Sequence, residues 1–415
     1  MRLQHLRYLT RHSPYYQRQL AGLELAAAAT NLDQVWQQLP RTSKEDLARF
    51  NDEFLVPTAN PVDCCLTSGT TGAPVTLWQN PADLERLALN EALALGLAGI
   101  TSQDRVLVGA ALDRCFMAGL AYFLGVKRIG GVALRVGAAL PVLVAELIER
   151  LHPTSIIGVP SLLRQIGEEV RNRNAEALTG VQRLVCIGEP IREANLELSS
   201  LGYQLSEIWG TPQLHATYAS TELATSFCEC PAGCGGHLLP QLCHLELTDE
   251  DGKPVDPGQI GEIVVTPLGV QTMPLLRYRT GDLAQLHTAP CDCGRTTPRL
   301  GPVLGRRAQM LKVQGTTLFP QAIFSVVQAF PAIREYCLVV DADFALSDRP
   351  KLLIAGEGEF LEKEVEQAVR ARTRVTIAIE RRPLEEIRRM VIQPKMRKPV
   401  RFIDRRQNKP SFPNT

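Results

Sequence analysis

Short apolar runs alternate with helically spaced apolar positions through most of the chain. VLVGAAL (106–112), SIIGV (155–159), RLVCIG (183–188) and EIVVT (262–266) are bounded by Gly, Pro or polar residues and predict strands. Pro81–Leu97 and Leu140–Leu151 carry apolar residues at helical spacing and predict helices. Strands alternating with helices of this length imply βαβ units and a mostly parallel sheet, so the fold class is α/β. The pattern changes after Leu304. The segment 305–320, GRRAQMLKVQGTTLFP, is short and glycine-bounded; beyond it 336–340, 351–355 and 375–379 read as strands and 359–372 as a charged helix. A large domain over 1–304 is therefore expected, then a small α+β domain over 305–404, the usual size of a second folding unit. Residues 405–415, polar with two prolines, read as a frayed tail.

Composition narrows the function. With 415 residues, 45% hydrophobic and 21% charged, the chain resembles an average globular protein of two or three folding units. Lys and Arg number 45 against 44 Asp and Glu, a net charge of +1. A global electrostatic case for nucleic acid or an anionic membrane fails, and any anion site must be local. No apolar run is long enough to cross a membrane as a helix. The basic start, MRLQHLRYLTRHSPYY, lacks an apolar core and a cleavage site, so the expected compartment is the cytoplasm. Eleven cysteines in a reducing compartment point to metal or catalysis before disulfides.

The most informative run is Thr67-Ser68-Gly69-Thr70-Thr71-Gly72-Ala73-Pro74. Its glycines let backbone N–H groups approach an anion and its four hydroxyls add donors, which suits a nucleotide triphosphate. The run does not fit the P-loop pattern. A solvated turn is the plain alternative.

TSGTTGAP is similar to the phosphate loop of adenylate-forming enzymes, the superfamily of acyl-CoA synthetases, adenylation domains and luciferases. Further matches follow in order: Tyr218-Ala219-Ser220-Thr221-Glu222, then Arg277-Tyr278-Arg279-Thr280-Gly281-Asp282, then Gly305-Arg306, then Lys398 in RKPVRFIDRR. Within the superfamily the chain resembles the phenylacetate–CoA ligase family, through HSPYYQRQL at 12–20, PRTSKEDL at 40–47, CDCGRTTPR at 291–299 and MLKVQGTTLFP at 310–320.

The resemblance implies ATP-dependent adenylation of a carboxylic acid, with Mg²⁺, and transfer of the acyl group to coenzyme A. Joining two anions requires cations and donors aimed at the developing charge. By resemblance, Thr67, Ser68, Gly69, Thr70, Thr71 and Gly72 hold phosphates, Glu222 binds Mg²⁺ and Thr221 bonds the α-phosphate. Gly188, Glu189 and Pro190, with Ala216, Thr217, Tyr218, Ala219 and Ser220, line the adenine. Asp282 accepts the ribose hydroxyls and Arg306 supports ribose or phosphate. Lys398 is the catalytic cation, although pattern alone makes it one solvated lysine in a basic run. The acid, aromatic by this reading, meets Phe116, Met117, Ala118, Gly119 and His215. Residues 305–404 are implied to move as a lid about the segment near Gly305.

Cys228, Cys230 and Cys234 lie close to His237, and Cys291 and Cys293 form a C-x-C pair. Converging Cys and His pairs suit tetrahedral zinc, while free thiols in loops are the alternative. By resemblance the structural Zn²⁺ ligands are Cys230, His237, Cys291 and Cys293, with Cys228 or Cys234 as substitutes. The cysteines at 64, 65, 115, 186, 243 and 337 are expected as small core residues.

Three departures stand out. Ala73 replaces a usual loop lysine, Ala219 replaces a glycine, and Arg307-Ala308-Gln309 replaces acidic residues near the hinge. Two further readings remain open: adenylation with transfer to a carrier-protein thiol or an amine, and a non-catalytic adenylate-binding homologue. The expected partners are a small carboxylic acid and a thiol acceptor, with no nucleic acid and no membrane; a homodimer is left open.

Overall fold

The computed structural model describes residues 1–67, 75–210, 212–313, 315–342, 348–359, 361–392 and 399–406. The chain divides into two compact units, Met1–Val303 and Leu304–Thr415.

The first unit is built on two larger sheets and a hairpin. Strand β1 (Asp63–Leu66) pairs antiparallel with β2 (Thr76–Gln79). One sheet orders β4 (Val132–Arg135), β3 (Arg105–Val108), β5 (Ser155–Gly158), β6 (Arg183–Ile187), β7 (Gln213–Ser220) and β8 (Thr225–Cys228). All its pairs are parallel except β7 with β8. Its central strands are apolar on both faces, as a sheet covered twice by helices requires. Leu107, Ile156 and Leu184 face one core with Ile148 and Trp209; Val106, Ile157 and Val185 face another with Tyr122 and Val126. The expected strand 106–112 stops at Val108; Gly109 still donates to the Ile157 carbonyl, and the chain then leaves the sheet.

The second sheet orders β10 (Cys243–Thr248), β11 (Ile260–Pro267), β12 (Tyr278–His287), β13 (Arg299–Leu300) and β9 (Gly236–His237), every pair antiparallel. The N-terminal helices pack on it through Leu6, Leu9, Tyr16 and Trp36. Helix Pro81–Leu97 links the two sheets. Asn80 and Asp83 form a reciprocal capping box with Pro81 at the first turn, which fixes where the helix starts. One turn on, buried Arg86 donates to the carbonyls of Leu268, Ala224 and Leu242 and to the Thr225 hydroxyl.

The second unit is a four-stranded sheet in the order Ala378–Arg381, Asp348–Gly356, Ile333–Ala342, Phe402–Asp404. Helices Pro320–Val327 and Leu361–Thr373 cover one face and helix Leu384–Val391 the other. The strand expected at 375–379 begins at Ala378, with Val375 and Ile377 buried on the approach. Residues 405 and 406, placed in the tail by sequence, are structured: Arg406 is buried against Asp404, Asp348 and the Met310 carbonyl. Among the described residues no helix is long and apolar enough to cross a membrane.

Gly119, on helix Met117–Ile129, sits against the chain leaving β3. A Cβ there would lie 2.3 Å from the Ala111 carbonyl oxygen and 2.6 Å from its carbon, both backbone atoms that cannot rotate away. Gly119→Ala is expected to cost about 1–3 kcal/mol of stability. Gly22→Ala, with nothing within 4 Å, serves as the control. Equal melting temperatures for the two variants would refute this packing.

Candidate active site

In a parallel sheet, ligands bind beyond the carboxyl ends of the strands. Three expected site segments leave that edge: 110–119 follows β3, Gly188-Glu189-Pro190 follows β6, and Ala216–Glu222 ends β7 and turns into β8. Glu189 accepts from the Ser161 amide at 2.9 Å and its hydroxyl at 3.0 Å, so it caps the neighbouring helix Pro160–Asn174. Ala216, Thr217, Tyr218 and Ser220 stay half-buried and Ala219 is exposed. Ala219 has extended backbone, so the missing glycine costs the strand nothing.

Glu222 lies in the turn after β7, positioned by the fully buried Leu223 beside it. Its carboxylate accepts from the Tyr278 hydroxyl at 3.3 Å and faces the Lys44 ammonium at 3.9 Å. Lys44 opens the helix Lys44–Arg49, whose capping box joins Ser43 and Asp46. Just before it, Thr42 is held by Tyr16 and the Leu276 carbonyl. The PRTSKEDL motif thus presents a lysine to Glu222, a role the sequence did not suggest. Thr221 lies in the same turn and is half-buried.

Asp282 sits within β12. Opposite it the register slips between Glu262 and Val264, a bulge made at Gly281 with φ of 74°. The bulge places Asp282 so that the Tyr218 hydroxyl donates to it at 2.9 Å. Two aromatic hydroxyls therefore join the two sheets at the two acidic site residues.

Several expected residues fall elsewhere. Met117 packs in a core with Cys65, Leu87 and Ala121, and Gly119 is pressed on Ala111, so neither offers a face to a substrate. Phe116 and Ala118 remain half-buried. His215 is fully buried; its Nδ1 lies 3.2 Å from the Glu229 carbonyl, and burial lowers its pKa to about 4, so it is a neutral packing residue. Thr67 is buried, and its hydroxyl oxygen accepts from the Val75 amide across the base of the loop. Ser68, Gly69, Thr70, Thr71, Gly72, Ala73 and Lys398 lie outside the described residues. Arg306 belongs to the second unit, on a two-residue strand.

The cysteine cluster is compact. Ligand atoms of Cys230, His237, Cys291 and Cys293 all lie within 4.8 Å of one another. Cys230 and Cys291 sulfurs are 3.6 Å apart, and the Cys293 sulfur is 3.5 Å from His237 Nε2. These match the edges of about 3.5–3.8 Å that a tetrahedron with bonds of about 2.0–2.3 Å requires. His237 Nδ1 is 3.1 Å from the Thr297 hydroxyl, which leaves Nε2 free to ligate. Cys234 touches only Cys291 of the four, at 3.5 Å. Cys228 lies outside the cluster, between the Thr217 hydroxyl and the Glu229 carbonyl.

Glu229 stands between Cys228 and Cys230 in sequence and was missed. Its carboxylate, almost wholly buried, accepts from Arg192 Nε at 2.7 and 3.0 Å, the Ala216 amide at 2.9 Å and the Gly235 amide at 3.1 Å. It thereby joins the segment after β6, the strand β7 and the cysteine loop.

The pattern that defines the AMP-binding enzyme family matches residues 18–274. A phenylacetate–coenzyme A ligase of Thermus thermophilus is 30% identical over 352 residues, spanning 82% of this chain and 77% of its own. One from Escherichia coli is 28% identical over 306 residues, spanning 71% and 66%. Among solved structures, a 2-hydroxyisobutyryl-CoA ligase in the postadenylation state superposes with a TM-score of 0.84 at 21% identity, over 97% of this chain and 88% of that one, which shows a shared fold.

Removing one partner of a buried ion pair leaves an uncompensated charge, at a cost of about 3–5 kcal/mol. Glu229→Gln is therefore expected to lower the unfolding free energy of the intact protein by that amount, read by chemical denaturation. A change under about 0.5 kcal/mol, the size of an ordinary surface substitution, would refute the role given to Glu229.

Proposed function

The chain belongs to the AMP-binding enzyme family, beside the phenylacetate–coenzyme A ligases, and from this we propose that it is an AMP-forming acid–coenzyme A ligase. It joins a carboxylate to the α-phosphate of ATP, releases pyrophosphate and passes the acyl group to the thiol of coenzyme A. The observation that carries the reading is the pairing of both acidic motif residues across the sheets, Tyr218 to Asp282 and Tyr278 to Glu222.

In this reading Asp282 receives the ribose hydroxyls, held in place by Tyr218. The half-buried stretch Ala216–Ser220 lies along the adenine, with Glu189 stiffening the segment beside it. Glu222 offers carboxylate oxygens suited to Mg²⁺, which neutralises phosphate charge when bound. Lys44 beside it is a second cation on the same side. Lys398 bridges the carboxylate and α-phosphate, and residues 305–404 move as a lid, as rearrangements between catalytic half-steps use a few hinge residues. The acid is aromatic: half-buried Phe116 and exposed Leu112 leave apolar surface in the segment after β3, and relatives include feruloyl-CoA synthases and an indoleacetate–CoA ligase.

ATP–pyrophosphate exchange over a panel of aromatic acids tests the reading. Exchange followed by CoA thioester is expected with at least one aryl acid. ATP binding without exchange would overturn it in favour of a non-catalytic homologue. Exchange without thioester would favour a carrier-protein thiol or an amine as acceptor. Lys398→Ala is expected to reduce exchange by at least about 100-fold, the scale of a lost transition-state charge contact, while ATP binding persists. Full exchange in that variant would remove Lys398 from the mechanism.

Zinc fills the cysteine cluster in this proposal and acts structurally, since four protein ligands leave no open position. Purified protein is expected to carry one zinc per chain by elemental analysis. Cys291→Ser should lose the metal and melt earlier; retention of a full equivalent of zinc would refute the ligand set.

A further inference from the structure

Two of the cysteines expected in the core are elsewhere. Cys115 is exposed and Cys64 only partly buried, and their sulfurs lie 3.9 Å apart although 51 residues separate them. Cys65, the next residue on β1, turns the other way into the core with Leu87 and Met117. Alternation along the strand thus presents one thiol of the Cys64-Cys65 pair outward.

The backbone around Cys115 is special as well. Arg114 and Cys115 have φ of 53° and 55°, two successive non-glycine residues in the left-handed region. Such backbone costs roughly 1–2 kcal/mol per residue and persists where surrounding contacts impose it. One of those contacts is visible: the Leu66 amide donates to the Cys115 carbonyl at 2.8 Å. The turn that carries Cys115 is therefore tied to the end of β1, one residue before Thr67. It also leads directly into Phe116 and the helix Met117–Ile129. Nothing in the adenylation chemistry uses either thiol.

We propose that Cys64 and Cys115 form a reversible intramolecular disulfide that fastens β1 to the turn 113–116 and so controls the acid-binding segment. The control rests on the ligase reading above; the disulfide itself does not. The Cys64 thiol donates to the Cys115 sulfur, and Cys115, the more exposed of the two, is the one a soluble disulfide reaches first. With oxidised glutathione as the oxidant, the Cys115 thiolate attacks one glutathione sulfur and a glutathione thiolate leaves. The Cys64 thiolate then attacks the Cys115 sulfur, and the second glutathione thiolate leaves. Two protein thiols lose two electrons and two protons, and one glutathione disulfide becomes two thiols. Closing the bond brings the sulfurs from 3.9 Å to about 2.05 Å. The turn ahead of Phe116 must follow, and shifts of about 1 Å near a reacting site can cost up to about 100-fold in rate.

Full-length protein, with any resident metal left in place, is equilibrated with reduced and oxidised glutathione, alkylated, digested and mapped by mass spectrometry. A linked Cys64–Cys115 peptide is expected, reversed by dithiothreitol. In Cys64→Ser, Cys115 should accumulate as a mixed disulfide with glutathione, having no thiol to resolve it. Free alkylation of both residues in oxidised wild type, or a persistent mixed disulfide at Cys115 there, would overturn the disulfide. Acid-dependent exchange should fall at least about 10-fold on oxidation, with KM for the acid rising more than KM for ATP, and recover on reduction. A linked peptide with unchanged exchange would overturn the control. Absence of exchange in the reduced protein as well would count against the ligase reading, and the peptide map would still decide the disulfide.

Discussion

A carboxylate sealed inside a protein is tolerated only when its charge and lone pairs are met, and Glu229 meets that condition from three directions at once. Arg192 supplies the opposite charge, and the amides of Ala216 and Gly235 occupy the remaining oxygen positions. Each donor comes from a different segment: the chain after β6, the start of the half-buried end of β7, and the cysteine loop. None can shift without exposing part of a buried charge to an apolar surround, which is the most expensive event available to this interior. The edge of the parallel sheet and the cysteine cluster are thus positioned by one side chain.

The same economy appears where the sheets meet. Arg86 distributes its donors over three carbonyls and a hydroxyl. Arg277 does the complementary job at the N-terminus, pairing with Glu246 through two bonds while donating to the carbonyls of Gln37 and Leu39. Between these clamps the tyrosines 218 and 278 reach the two acidic residues. Their hydroxyls fix the direction of the two carboxylates without adding charge.

What the sequence disclosed and what it hid follow the same physical divide. Helix Pro81–Leu97 was legible because its cap is local: Asn80, Pro81 and Asp83 mark the start within four residues. The buried strands 155–159 and 183–188 were legible because a sheet covered on both faces leaves continuous apolar runs. The gathering of Cys230, His237, Cys291 and Cys293 was expected from the resemblance, since spacing alone left Cys228 and Cys234 as substitutes. Long-range partners left no such mark. Lys44 and Glu222 are far apart in the chain, as are Cys64 and Cys115, and no spacing rule connects them. The bulge at Gly281 depends on the register of β11 against β12, which pattern cannot reveal. The burial of Met117, Gly119 and His215 was not legible, because a segment that leaves a sheet edge alternates between exposed and core positions and only packing decides which residue faces which.

The lysine beside Glu222 bears on how ready the site is for a metal. A pair at 3.9 Å with both side chains partly open to water contributes at most about 1 kcal/mol, screened further by salt. That is small beside the attraction of a carboxylate for a divalent ion carrying phosphate oxygens. Were a divalent ion to bind Glu222, as proposed, Lys44 would yield its place at little cost. Its helix is fastened behind it by the Ser43–Asp46 capping box and by Thr42, which keep the ammonium beside the turn that carries Glu222.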